Sequence, residues 1–154
     1  MKSLSKLVFV LFLIPSFSWS QVESGRITKP QQKQLPVGLE NAPDAALVSA
    51  LLNHQEVNFV EAKEMKVVKV LPDDRSGSPH QKFNVSLSNQ SVITIISNLD
   101  MCPEIPVQVG DVVGAGGQFI PTGKKSGILH WVHKDPRKNR PDGYIEFKGQ
   151  EFCK

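Results

Sequence analysis

The 154 residues contain no Cys-x-x-Cys pair, no glycine-rich phosphate loop and no Asp-x-Asp-x-Asp-Gly calcium loop. Those gaps exclude a thiol redox relay, P-loop nucleotide hydrolysis and an EF-hand. An established nucleophile motif, a cluster of acidic ligands and an internal repeat are missing as well. Aromatic residues make up 7% of the chain, and charge of one sign is not in excess, with 18 basic against 15 acidic residues and a net charge of +3. Two of the cations, Lys2 and Lys6, sit in the leading segment, and without them the net charge is +1. A globally basic nucleic-acid binder therefore has no support from composition. Long apolar runs are also scarce. The one present, Leu7 to Ile14, follows the two lysines and precedes Ser18-Trp19-Ser20, a pattern that predicts a secretory signal peptide over residues 1–20. No later run approaches the roughly 20 residues that span a bilayer, and no Cys follows the cut to take a lipid, so a soluble periplasmic or secreted chain is expected.

Cysteine is limited to Cys102 and Cys153. In an oxidising compartment a single even pair most simply forms a disulfide, with two free thiols as the other arrangement.

What is present suggests one domain. Residues 21–40 carry Gln31, Gln32 and Gln34 among Pro30, Pro36, Gly25 and Gly38 without a period, and read as a flexible tether before a single domain over 41–154. Asn41-Ala42-Pro43-Asp44 offers a helix start ahead of Ala46, Leu47, Ala50 and Leu51 at helical spacing. From Phe59 the pattern turns to β. A β-branched stretch runs to Leu71 and is stopped by Pro72, Gln81–Leu87 and Val92–Ile96 form a hairpin about Asn89, and a strand follows the Val109-Gly110-Asp111 turn. Gly127–His133 and Tyr144–Phe147 close the series. The fold class expected is mainly β: a small barrel of the oligonucleotide/oligosaccharide-binding (OB-like) type, closed or partly open, with one N-terminal helix.

Residues suited to chemistry gather in two stretches, His80-Gln81 and His130-Trp131-Val132-His133-Lys134-Asp135-Pro136-Arg137. Imidazoles with a carboxylate suit zinc or a similar divalent metal, and His80, His133 and Asp135 are the candidate ligands. The same three are candidate catalytic groups, with Asp135 orienting the His133 ring. In an extended strand His130 and His133 point to opposite faces, so this reading separates them. The other alternative is that these histidines satisfy local backbone groups. Lys124, Lys125, Lys134, Arg137, Lys138 and Arg140 form a local basic rim, and Trp131 and Tyr144 are available for stacking. A ligand face of His80, Gln81, His130, Trp131, His133, Lys134, Arg137 and Tyr144 would suit an anionic polymer or a glycan.

Leu71-Pro72-Asp73-Asp74, His80-Gln81-Lys82-Phe83, Asn98-Leu99-Asp100, Val109-Gly110-Asp111, Gly127 through Pro136 and Gly143-Tyr144 together resemble a family of small exported bacterial proteins, domain of unknown function 3465. The His-Trp-x-His-x-Asp-Pro stretch is the specific part. The resemblance implies a compact barrel-like fold and an exported location. Members of that family usually carry a further His shortly before the final Gly-aromatic pair, and in this chain Arg140 or Pro141 stands near that place. Three functions follow from the residues: a binding module, a metal-dependent hydrolase of nuclease or phosphodiesterase type, and a structural envelope protein.

Overall fold

The computed structural model describes residues 31–74 and 77–154. The signal-peptide segment and the first part of the expected tether lie outside the described residues. The compact unit runs from Gln32 to Lys154 and takes in residues 32–40 as well, where Leu35 packs on the core and the Lys33 backbone pairs with the Asn53 side chain.

One helix, α1 (Ala45–Leu52), opens the domain and buries Leu47, Val48, Ala50 and Leu51. Asp44 stands at its N-terminus but makes no capping bond. Its buried carboxylate instead accepts from the backbone N–H (2.7 Å) and hydroxyl (2.6 Å) of Ser88, tying the helix start to a distant turn.

Seven strands follow among the described residues: β1 (Val57–Asp74), β2 (His80–Ser86), β3 (Val92–Asn98), β4 (Val112–Gly123), β5 (Ser126–His130), β6 (Tyr144–Phe147) and β7 (Gln150–Phe152). Their order is β1-β2-β3-β5-β4-β6-β7, and a further β1–β4 pairing closes the first five into a barrel. All pairs are antiparallel except β3–β5. This is the small OB-like barrel that the sequence pattern implies, carrying one short N-terminal helix.

Two strands depart from the boundaries read in the sequence. β1 continues through Pro72 to Asp74, because the ladder shifts register between Leu71 and Asp74 and leaves the proline unpaired. Its length follows from serving two neighbours, β4 through its first half and β2 through its second, with further shifts between Ala62 and Met65 and between Val67 and Lys69 that turn the strand around the barrel. β5 stops at His130 rather than His133, and β7 adds a strand after the expected last one.

Phe83, Val85, Ile93, Ile95, Phe119 and Leu129 form the buried core with Met65, Val67 and Ile145 of β6, and α1 packs against β1 and β4. Strict alternation along β2 and β3 therefore turns His80, Asn84, Thr94, Ile96 and Asn98 to the outer face. No helix among the described residues is long and apolar enough to cross a membrane.

Candidate functional site: a histidine and tryptophan cleft on the outer barrel face

A cleft of about 470 Å³ opens where the start of β2 meets the ends of β3 and β5. Its lining is His80, Ile96, Asn98, Met101, His130, Trp131, His133, Asp135, Pro136 and Arg137. His80 enters as the partner of Asn98 in the β2–β3 ladder. Met101 arrives through the turn in which the amides of Met101 and Cys102 donate to the Asn98 carbonyl. The connection beyond is pinned by Gln81, whose buried amide both donates to the Ile105 carbonyl (2.7 Å) and accepts from the Ile105 N–H (3.0 Å).

The opposite wall begins where β5 ends. Trp131 has φ 54°, a left-handed conformation that a bulky residue adopts only when its surroundings enforce it. Two glycines allow the approach. A Cβ on Gly117 would lie 2.4 Å from the His130 carbonyl oxygen, and one on Gly143 would lie 2.0 Å from that of Trp131. The turn corrects the alternation expected for this stretch: because the chain leaves the strand at Trp131, His130 and His133 both line the cleft, with Trp131 in ring contact with each (6.5 and 5.1 Å between centroids).

Asp135 does not orient His133, a second correction. Its carboxylate accepts backbone N–H groups from Arg137 (3.1 Å), Asn139 (2.7 Å) and Arg140 (2.9 Å) and so organises the following loop. The Arg137 bond, then those of Asn139 and Arg140 and the Arg140 charge, hold this carboxyl below the usual range against the opposing effect of burial. His133 is oriented by the chain itself, with Nδ1 2.8 Å from the Lys134 carbonyl oxygen. Because a carbonyl only accepts, that contact requires a proton on Nδ1 and leaves Nε2 of the neutral ring as a lone-pair nitrogen. His130 has its pKa lowered, first by burial and then by the Arg140 charge, and its buried Nε2 has no hydrogen-bond partner among the described residues.

Arg140 is the residue whose role the sequence pattern did not reveal. Its guanidinium lies 4.7 Å from the Trp131 ring centroid and donates to Gln118, which in turn donates to Glu56 (2.7 Å). Ile96, Asn98, Met101 and Pro136 were also absent from the expected face. The first two could be read from the alternation of β3, while Met101 and Pro136 depend on turns.

Of the residues expected on the ligand face, the cleft brings together His80, His130, Trp131, His133 and Arg137. Gln81 is an anchor of the β3–β4 connection, and Lys134 is exposed outside the lining, its amide donating to the Cys153 carbonyl. Tyr144 is buried elsewhere, its hydroxyl donating to Glu61 (2.8 Å). Among the described residues no three His, Cys, Asp or Glu side chains are grouped to hold a metal ion. Cys102 and Cys153 form the disulfide.

Burial, followed by the hydrogen bond to Glu61 and the charges of Glu61, Glu146 and Glu151, pushes the Tyr144 phenol well above its ordinary value. Since Tyr144 is the only tyrosine, absorbance at 295 nm reads it alone. The phenolate of the folded protein is expected to appear at higher pH than that of the unfolded chain, which ionises about pH 10. A raised folded pKa favours the protonated form, so this contribution to stability is complete below about pH 10 and is lost as pH rises toward the folded value. Phenolate appearing in the folded protein at pH 10 would contradict the assignment.

A family model described as "Protein of unknown function (DUF3465)" matches residues 34–153, the family whose resemblance the histidine-rich stretch carries. No curated protein and no solved structure matches the chain.

Proposed function

The chain belongs to the DUF3465 family, and from that premise and the cleft we propose that it is an exported binding module that holds a single-stranded anionic polymer on its outer face. The observation that carries the reading is the convergence of three imidazoles, one indole and Arg137 in a single cleft beside the outward residues of β2, β3 and β5. Lys134, Lys138 and Arg140 are exposed on the same loop and add positive charge around it. The apolar lining, Ile96, Met101, Trp131 and Pro136, gives bases or sugars a surface to cover, and the cations address phosphates or other anionic groups. The disulfide and the N-terminal apolar run support work in the periplasm or outside the cell.

Anisotropy of a fluorescein-labelled single-stranded DNA tests this reading. With about three phosphates neutralised, the log–log salt slope is expected near −2, a loss of roughly 20-fold in affinity between 50 and 200 mM salt. Arg137→Ala should make the slope shallower by about 0.7, the share of one phosphate. Binding of a neutral oligosaccharide without salt dependence would replace the polymer by a glycan, and no binding of either would favour a structural envelope role.

A further inference from the structure

The cleft contains more than binding requires. His133 presents Nε2 as a base with its tautomer set by the Lys134 carbonyl, a second imidazole, His80, stands in the same cleft, and Arg137 supplies a fixed positive charge. A base, a potential acid and a cation together are the equipment for proton transfer around a phosphoryl group. The lining offers no hydroxyl, thiol or amine side chain among the described residues. An attacking oxygen carried by the substrate itself fits such a lining. Ribose provides one in its 2′-hydroxyl and deoxyribose does not.

We infer that the cleft cleaves single-stranded RNA by imidazole-driven transesterification, with His133 as base and His80 as acid; the inference rests on the reading of the cleft as a polymer site. His133 Nε2 removes the proton of a 2′-hydroxyl, and the 2′-oxygen forms a bond to the adjacent phosphorus. The bond from phosphorus to the next 5′-oxygen breaks, its electron pair staying on that oxygen, which takes the proton carried by His80. Arg137 faces the charge that grows on the non-bridging oxygens. The products are a 2′,3′-cyclic phosphate and a 5′-hydroxyl. The two imidazoles end with their protonation exchanged, and water resets them, so no oxidant, reductant or further reactant is consumed. His130, whose Nε2 is buried and whose pKa is lowered by burial and then by the Arg140 charge, is assigned no part in the exchange.

The test incubates the full chain with a 5′-fluorescein RNA 12-mer and, separately, with DNA of the same sequence, both in EDTA. Expected are shortening of the RNA, a fragment with the mass of a cyclic phosphate, and DNA that binds but stays intact. His133→Gln and His80→Gln should each slow cleavage at saturating RNA by about 100-fold or more, a rate read on bound substrate and so separate from any change in affinity. The residual pH–rate profile should lose its acid limb in the His133 variant, where the base is gone, and its alkaline limb in the His80 variant. Intact RNA alongside bound DNA would overturn the cleavage and leave the binding reading standing, whereas absence of DNA binding would sink that reading first. Loss of cleavage in EDTA, DNA cut as fast as RNA, or unaltered rates in both variants would also overturn the inference.

Discussion

Gly143→Ala is expected to destabilise the protein by about 3 kcal/mol or more, the upper part of the range for forcing atoms into packed structure. The added Cβ would lie 2.0 Å from the Trp131 carbonyl oxygen, 2.7 Å from the His133 nitrogen and 2.8 Å from the Val132 Cα. All three are backbone atoms, which cannot turn away as a side chain would. Segment 131–133 would have to move, and with it the Gly143 N–H bond to the His133 carbonyl (2.9 Å). Gly149→Ala is the control, because Gly149 has φ +75° but nothing within 4 Å of a Cβ, so only backbone strain of roughly 1–2 kcal/mol applies. Urea unfolding of the two variants separates crowding from strain. Equal losses would mean that the close approach at Trp131 carries no special cost.

The second large effect is expected at the disulfide. Cys102 and Cys153 are 51 residues apart, a separation for which chain-entropy arguments give about 4 kcal/mol of stabilisation on cross-linking. The bond also joins the two walls of the cleft. Cys102 follows Met101 on one side, and the Cys153 carbonyl accepts the Lys134 N–H (2.7 Å) on the other. The double variant Cys102→Ser, Cys153→Ser should lose about 4 kcal/mol in urea unfolding and show faster hydrogen exchange at the Lys134 amide. A loss below about 1 kcal/mol, with the Lys134 amide still protected, would show that the hydrogen bonds of the two loops hold the walls together without the cross-link.

The elements legible in the sequence are those whose cause is local. Phe83 and Val85 alternate with polar neighbours and Val92–Ile96 is a β-branched run, so the β2–β3 hairpin follows from local pattern and residue type. The turn at Gly110, with φ +100°, is likewise visible in a Val-Gly-Asp triplet. The histidine-rich stretch could be recognised as chemically dense, but not its shape. Nothing between Gly127 and His133 marks an end to extended structure, because the stop is imposed from outside by backbone packed against Gly117 and Gly143.

Asp44 and Asp135 show the same limit. Each carried a plausible local role, an acid at the start of a helix and the orienter of a neighbouring imidazole, and each carboxylate is used elsewhere, on Ser88 and on the amides of the 137–140 loop. A short acidic side chain takes whichever donors the tertiary fold brings near it. Tyr144 was expected to stack on a ligand because it follows a basic loop, yet its place in β6 opposite Gly116 buries the ring. Arg140, read only as rim charge, lies against Trp131, so the exposed part of that indole, 38% of the residue, is what remains for a ligand.

The most direct measurement of the central claim is chemical-shift mapping of the labelled protein during titration with a single-stranded DNA, which carries phosphates and bases but no 2′-hydroxyl. Perturbation is expected at the ring protons of His80, His130 and His133 and at the Trp131 indole N–H, with His54 and the Lys63, Glu146 and Lys148 surface unmoved. Shifts confined to that other surface, or a spectrum unchanged by saturating DNA, would contradict the cleft as the binding site.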